Sequence, residues 1–226
     1  MEVLVPFSTE CPKSRLSAVL EPGERAAFAR AMLSDVLAAV DAAGGDPRVL
    51  ATASVDAALG CPVEVDDRPL TTAVNAALSD RRAVDDGSVG VVMADLAIAT
   101  PSALRGLFDA VEQSADVSIA PGRGGGTNAL AVDHAEFRVD YHGSSYRDHR
   151  RIADEVGATV SVIDSHRLAT DVDEPPDLAE VLIHGNGAAA AWLRDAGFGL
   201  DDSDGRVGVA RVANGDDAAI RDRDPF

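Results

Sequence analysis

Short apolar runs alternate along this chain with longer stretches in which hydrophobic residues return every three or four positions. Glu2–Pro6 predicts a first strand, and over Pro22–Val40 the residues Phe28, Met32, Leu33, Val36, Leu37 and Val40 recur at helical spacing. Arg48–Thr52 predicts a second strand and Leu70–Leu78 a helix after the acidic Val65-Asp66-Asp67. Ser88–Met93 predicts a continuous apolar strand buried on both faces. Pro101–Gln113 predicts a helix with Thr100 as its cap and Pro101 at its first position. Val117–Ala120 and Ala129–Val132 predict strands, Ser145–Val156 a helix, Val160–Ile163 a strand and Asp177–His184 a helix after the Pro175-Pro176 turn. Strands and helices alternating at this spacing imply an α/β fold, a Rossmann-like three-layer sandwich with a mostly parallel sheet. From about Asn186 the order weakens. Ala188–Ala196 predicts a small-residue helix around Trp192 and Val207–Val212 a short edge strand. Residues 1–213 form one expected domain without repeat or linker, and Asn214–Phe226, dense in Asp and Arg, reads as a frayed, disordered tail.

Composition narrows the picture. The 226 residues are 46% hydrophobic but only 4% aromatic, which points to one core built mainly from Ala, Val and Leu. Asp and Glu number 38 against 20 basic residues, a formal charge of −18 that repels nucleic acid and anionic membranes. The acidic residues are spread along the whole chain, as suits a protein kept hydrated in the concentrated salt of a halophile's cytoplasm. Cys11 and Cys61 are too few for a disulfide framework and lack metal-ligand spacing, so a reducing compartment is expected. The first residues carry no basic stretch before a long apolar core, and no later apolar run could span a bilayer, so the expectation is a soluble, cytoplasmic protein.

Ligands of open α/β sheets bind beyond the carboxyl ends of the strands, and five segments there carry chemistry. Lys13 is the single lysine beside nineteen arginines, and with Arg15 it follows the first strand, where an ammonium and a guanidinium could hold phosphate oxygens. The alternative is two solvated charges in a loop. Asp95 ends the apolar Val91–Ala94 run, a costly place for a carboxylate unless a divalent cation pairs with it, and Thr100 already fills the nearby cap role. Gly124-Gly125-Gly126-Thr127-Asn128 lets backbone N–H groups approach an anion and adds two neutral side chains, although glycine runs also occur in plain flexible loops. Gly143, Ser145 and His149 fall at the start of a helix, fit either for an anion or for an ordinary serine cap with a surface histidine. Asp171 and Asp173 alternate along an extended stretch, so one of them could complete a Mg²⁺ site with Asp95. Thr72 and Asn75 are candidates for contact with a base or ribose. His134, His166 and His184 show no ligand spacing and read as surface or packed histidines.

Lys13-Ser14-Arg15-Leu16, Met93-Ala94-Asp95-Leu96, Gly124–Leu130, Ser145-Tyr146 with His149, and Asp171–Leu178 follow one another in a single order. In this the chain resembles the 2-phospho-L-lactate guanylyltransferase family, the CofC enzymes of coenzyme F-420 biosynthesis, and its acidity resembles the haloarchaeal members. The resemblance implies a GT-A-type nucleotidyltransferase fold and a homodimer. It further implies Mg²⁺-dependent joining of GTP to a phosphorylated three-carbon acid with release of pyrophosphate. It makes Asp95 and one of Asp171 and Asp173 the metal ligands, and Thr127 and Ser145 contacts to the phospho-acid; Gly125, Gly126, Asn128, Gly143 and His149 complete the expected acid site, and Lys13 and Arg15 the triphosphate site. The chain departs from the family pattern at His142, where a glycine is common, at Tyr146 in place of Phe, and at Leu96-Ala97 in place of leucine-proline. Two alternatives stay open. One is a molybdopterin or sugar-phosphate nucleotidyltransferase, which would carry a glycine-rich loop after the first strand; the other is a nucleotide-binding protein without catalysis.

Overall fold

The computed structural model describes residues 1–10, 12–55, 59–84 (for 82–84 the backbone alone), 87–203, 205 and 207–211. Cys11, the expected strand end at Val212 and the Asn214–Phe226 tail lie outside the described residues. In chain order the strands are β1 (Glu2–Phe7), β2 (Asp46–Ala51), β3 (Val63–Val65), β4 (Val89–Val92), β5 (Val117–Pro121), β6 (Thr127–Val132), β7 (Val160–Val162), β8 (Phe198–Asp201) and β9 (Gly208–Arg211). The helices are α1 (Pro22–Ala42), α2 (Leu70–Val84), α3 (Pro101–Gln113), α4 (Ser145–Glu155), α5 (His166–Ala169), α6 (Asp177–His184) and α7 (Ala188–Asp195), with a 3₁₀ turn at Ser14–Ala18.

Seven strands form one sheet in the order β3-β2-β1-β4-β6-β5-β7, and β8 and β9 pair apart as an antiparallel ribbon. The sheet is mostly parallel, as the alternation of elements implies. β6 is the exception, running antiparallel to both β4 and β5. Successive side chains point to opposite faces, and the two cores follow from that period of two. Val3, Val5, Val49, Val92, Ala120, Ala129 and Ala131 face one side, under Phe28, Met32, Leu33 and Val36 of α1 and Leu104, Leu107 and Phe108 of α3. Leu4, Leu50, Val91, Ile119, Leu130 and Val132 face the other, under Ala73, Val74, Ala77 and Leu78 of α2 and Ala153 of α4. On the first face α3 and α5 lie against β5 and β6, while α7 packs on α1 and α6 on α7, adding Leu178, Val181 and Leu193 to the same core.

Helix ends match local chemistry. Thr100 Oγ1 accepts from Ala103 N with Pro101 in the first turn, which fixes the start of α3 at the expected residue. Glu21 and Glu24 form a reciprocal capping box on α1. Asp35, projecting from α1, accepts from Ala188 N (2.6 Å) and Ala189 N (2.8 Å), so one helix satisfies the free donors of another. Burial raises the Asp35 carboxyl against those two hydrogen bonds.

Candidate active site

Beyond the carboxyl ends of β1 and β4, one ammonium and two carboxylates converge from three distant parts of the chain. Lys13 Nζ donates to Asp95 Oδ2 at 2.7 Å and to Asp173 Oδ1 at 2.8 Å. Arg15 Nη1 reaches the second oxygen of Asp173 at 3.3 Å. Among the described residues Lys13 is the one non-glycine with positive φ, at 56°, a left-handed conformation adopted just before the 3₁₀ turn. A non-glycine residue held there carries a cost of order 1–3 kcal/mol, the kind of local strain that clusters at functional sites. Burial works against its charge, but Asp95 and then Asp173 outweigh it, so the ammonium is held above its ordinary pKa. The Asp95 carboxyl is raised by its own desolvation, opposed by Lys13 and reinforced by the nearby Asp173 and Asp171 charges.

Asp95 Oδ1 is buried without a hydrogen-bond partner. An oxygen ligand left unsatisfied beside a second carboxylate suits a hard, oxygen-seeking cation, and Mg²⁺ commonly uses only one or two protein carboxylates. Asp171 lies near enough for its charge to act on Asp95, but its Oδ1 accepts from Asn128 Nδ2 at 3.1 Å and it does not join Asp95 and Asp173 in a tight three-carboxylate cage. The backbone binds the same segments together, through Val172 N to Asp95 O (3.2 Å) and Met93 N to Asn128 O (2.9 Å).

The glycine run is the turn of the β5–β6 hairpin. Gly125 adopts φ 85°, and its N–H closes the turn onto Gly122 O while its carbonyl accepts from Tyr146 N. Gly122 is required by close approach, since a Cβ there would lie 2.5 Å from Asn128 Oδ1. Just past the turn, Ser145 Oγ accepts from Thr127 N at 2.9 Å, so Ser145 ties α4 to β6 instead of capping its helix. His149 is fully buried, with Nδ1 2.8 Å from Thr127 Oγ1 and Nε2 accepting from Asp140 N at 2.8 Å. An acceptor at Nε2 places the single proton of neutral imidazole on Nδ1, which therefore donates to Thr127. The hydroxyl protons of Thr127 and Ser145 are both left to donate elsewhere. Burial keeps His149 neutral, lowering its pKa to about 4 against the opposing charges of Asp140 and Asp148. Tyr141 packs edge-on against this ring, its hydroxyl buried without a partner and pushed well above its usual pKa by desolvation.

The remaining expected residues are placed differently. Asn75 makes a two-way clamp with Val139, donating to its carbonyl and accepting from its N–H at 2.9 Å each, and Thr72 is exposed on α2. Gly143, at φ 57°, shapes the turn before α4. The sequence reading missed a cleft of about 350 Å³ beside Lys13, walled by Phe7, Ala29, Met32 and Met93 and edged by Ser8, Ser14, Asp95 and Asp173. Its signal was the apolar wall contributed by α1, which periodicity assigns to core alone.

A family model described as guanylyl transferase CofC like matches residues 1–214. The chain belongs to that family. A 2-phospho-L-lactate guanylyltransferase of Halorubrum lacusprofundi is 70% identical over 218 residues, covering 93% of this chain and 100% of the relative. The enzyme of the same name from Halomicrobium mukohataei is 60% identical over 211 residues, with 93% and 100% covered. Among solved structures, one from Desulfovibrio desulfuricans G20, proposed as a nucleotide-diphospho-sugar transferase, superposes with TM-score 0.70 at 16% identity over 86% of this chain and 94% of that one. The 2-C-methyl-D-erythritol 4-phosphate cytidylyltransferase of Thermus thermophilus gives 0.53 at 16% identity, with 85% and 98% covered. These likenesses establish the nucleotidyltransferase fold, and the CofC-like match makes the chain a guanylyltransferase-family enzyme.

Proposed function

We propose that this chain condenses GTP with 2-phospho-L-lactate, or the related phosphoenolpyruvate, as a step of coenzyme F-420 biosynthesis. A phosphate oxygen of the acid attacks the α-phosphorus of GTP, the α–β anhydride bond breaks, and pyrophosphate leaves with that bonding pair. The product from phospholactate is lactyl-2-diphospho-5'-guanosine. The observation that carries the reading is the convergence of Lys13, Asp95 and Asp173 at the mouth of an apolar-walled cleft. The attacking group is already an anion, so the site needs positioning and charge neutralisation more than a base. Mg²⁺, when bound at Asp95 and Asp173, supplies positive charge to two mutually repelling substrates. Lys13 and Arg15 face the triphosphate as point charge and fork, and the cleft of Phe7, Met32 and Met93 takes the nucleoside. Thr127 and Ser145 donate their free hydroxyl protons to the phospho-acid. A glycine-rich loop after β1, expected of the sugar-phosphate enzymes, is absent between Pro6 and Leu16.

A homodimer in the cytoplasm belongs to the same proposal, supported by exposed Val63 and Val65 on the outermost strand. No helix among the described residues is long and apolar enough to cross a membrane. The test is pyrophosphate release by the purified chain, which is expected only when GTP, Mg²⁺ and phospholactate or phosphoenolpyruvate are all present. Asp95→Asn is expected to slow it about 100-fold or more with an unchanged fold. Turnover of GTP without the acid overturns the reaction, and near-normal release by Asp95→Asn removes that residue from the site.

A further inference from the structure

His166 and His184 show no ligand spacing in the sequence and read there as surface or packed histidines; the fold brings them together around Glu180. His166 opens α5, while Glu180 and His184 stand one turn apart on α6. His166 Nε2 lies 3.3 Å from Glu180 Oε2 and His184 Nε2 3.5 Å from the same oxygen. The three ligand atoms all fall within 4.8 Å of one another, and the two rings meet edge-on with centroids 5.3 Å apart. Charge-assisted hydrogen bonds run shorter, at about 2.7–2.9 Å. Metal–ligand bonds of about 2.0–2.1 Å in a tetrahedron put neighbouring ligand atoms roughly 3.3 Å apart, close to the two His–Glu separations of 3.3 and 3.5 Å.

We propose that these three side chains form a site for a first-row divalent metal of the Zn²⁺ class, separate from the Mg²⁺ site and independent of the reaction assigned above. Two imidazole nitrogens and one carboxylate oxygen select such ions over Mg²⁺, which prefers an all-oxygen shell. The side chains are 52%, 28% and 35% exposed, open enough for an ion to enter and for water to complete its shell. The scaffold is already built: Arg167 Nη1 donates to His184 O at 2.7 Å, tying α5 to α6 beside the cluster. The segment between the two histidines carries Asp171 and Asp173, and its turn is held by Asp177 Oδ2 accepting from Asp173 N and Glu174 N. An ion bridging His166 and His184 therefore staples both ends of the stretch that presents the catalytic-site carboxylates. Its effect is to stabilise that stretch without touching substrate.

The test uses tag-free full-length protein in excess Mg²⁺, titrated with Zn²⁺ by calorimetry and with Co²⁺ by visible absorption. One ion per chain is expected, with affinity at least about tenfold weaker in His166→Ala, Glu180→Gln and His184→Gln and unchanged in His134→Ala and Asp95→Asn. Zn²⁺ at a hundredfold excess over its Kd should raise the wild-type melting temperature by roughly 5–10 °C and leave His184→Gln unmoved. Circular dichroism confirms that each variant is folded, and three independent ligand variants guard against one that is not. Wild-type affinity in the folded ligand variants, the absence of stoichiometric uptake, loss of uptake in Asp95→Asn, or binding without a rise in melting temperature each overturns the proposal.

Discussion

His149 shows how one buried side chain sets the state of a hydroxyl. It has no exposed surface, and its lowered pKa of about 4 means that the fold accepts a proton there only with difficulty. In the unfolded chain the same imidazole protonates near 6.5. Between these values the unfolded state binds more protons, so this contribution to stability is complete above about pH 6.5 and is lost as the pH falls towards 4. The full span is worth roughly 3 kcal/mol. Denaturant titrations at about pH 7.5 and about pH 4.5 should therefore show a larger loss for the wild type than for His149→Gln, and equal losses would refute the linkage. Lys13 stood out in the sequence because a chain almost without ammonium groups retained one after its first strand, but its pairing with Asp95 and Asp173 joins positions 82 and 160 residues away. His149 was legible only as one turn into a helix, since burial and tautomer depend on Thr127 and Asp140 from other segments. The pairing of His166 with His184 was missed because eighteen positions of sequence hide a contact that the α5–α6 turn creates, although Glu180 and His184 at helical spacing were a partial signal.

Among the elements, the β5–β6 hairpin does most to assemble the site. Its turn works only if Gly122 stays bare, because Asn128 fills the space and its amide holds both Leu168 O (3.0 Å) and Asp171. Gly122→Ala is expected to lower stability by about 1–3 kcal/mol and to reduce turnover, whereas Gly124→Ala, with nothing within 4 Å of its added carbon, should match the wild type in thermal melts. Similar losses for both would deny the close approach its role. α3 and α6 were legible to the residue, because Thr100-Pro101 and Pro175-Pro176 write their starts into the sequence. β3 and β8 were not: three exposed-to-intermediate residues at a sheet edge and a glycine-interrupted ribbon bury too little to leave a pattern. The reversed direction of β6 was also unread, yet residues 122–126 are too few for the crossover that a parallel partner needs.

At the scale of the molecule, a formal charge of −18 governs the response to solvent. Some of it is paired, as in Arg81 with Glu2 and Glu64 and Arg211 with Glu24, but the excess repels itself. Screening shortens from about 10 Å at 0.1 M to about 3 Å at 1 M salt. The melting temperature should accordingly rise between about 0.1 M and about 2 M KCl, and a flat profile would show that self-repulsion does not limit stability. The acidic composition was readable without any structure, and it agrees with the haloarchaeal sources of the relatives. The strand order was not readable, because it joins β4 to a partner forty residues further on. During synthesis, the first four strands can leave the ribosome and pair while β4 still lacks a neighbour on one side. At about 5–20 residues per second, that flank stays bare for roughly 2–8 s until β6 arrives. The nascent chain thus passes through a stage at which that flank offers a row of unpaired backbone groups to any second emerging copy, until the stretch from Val92 to Val132 has been made.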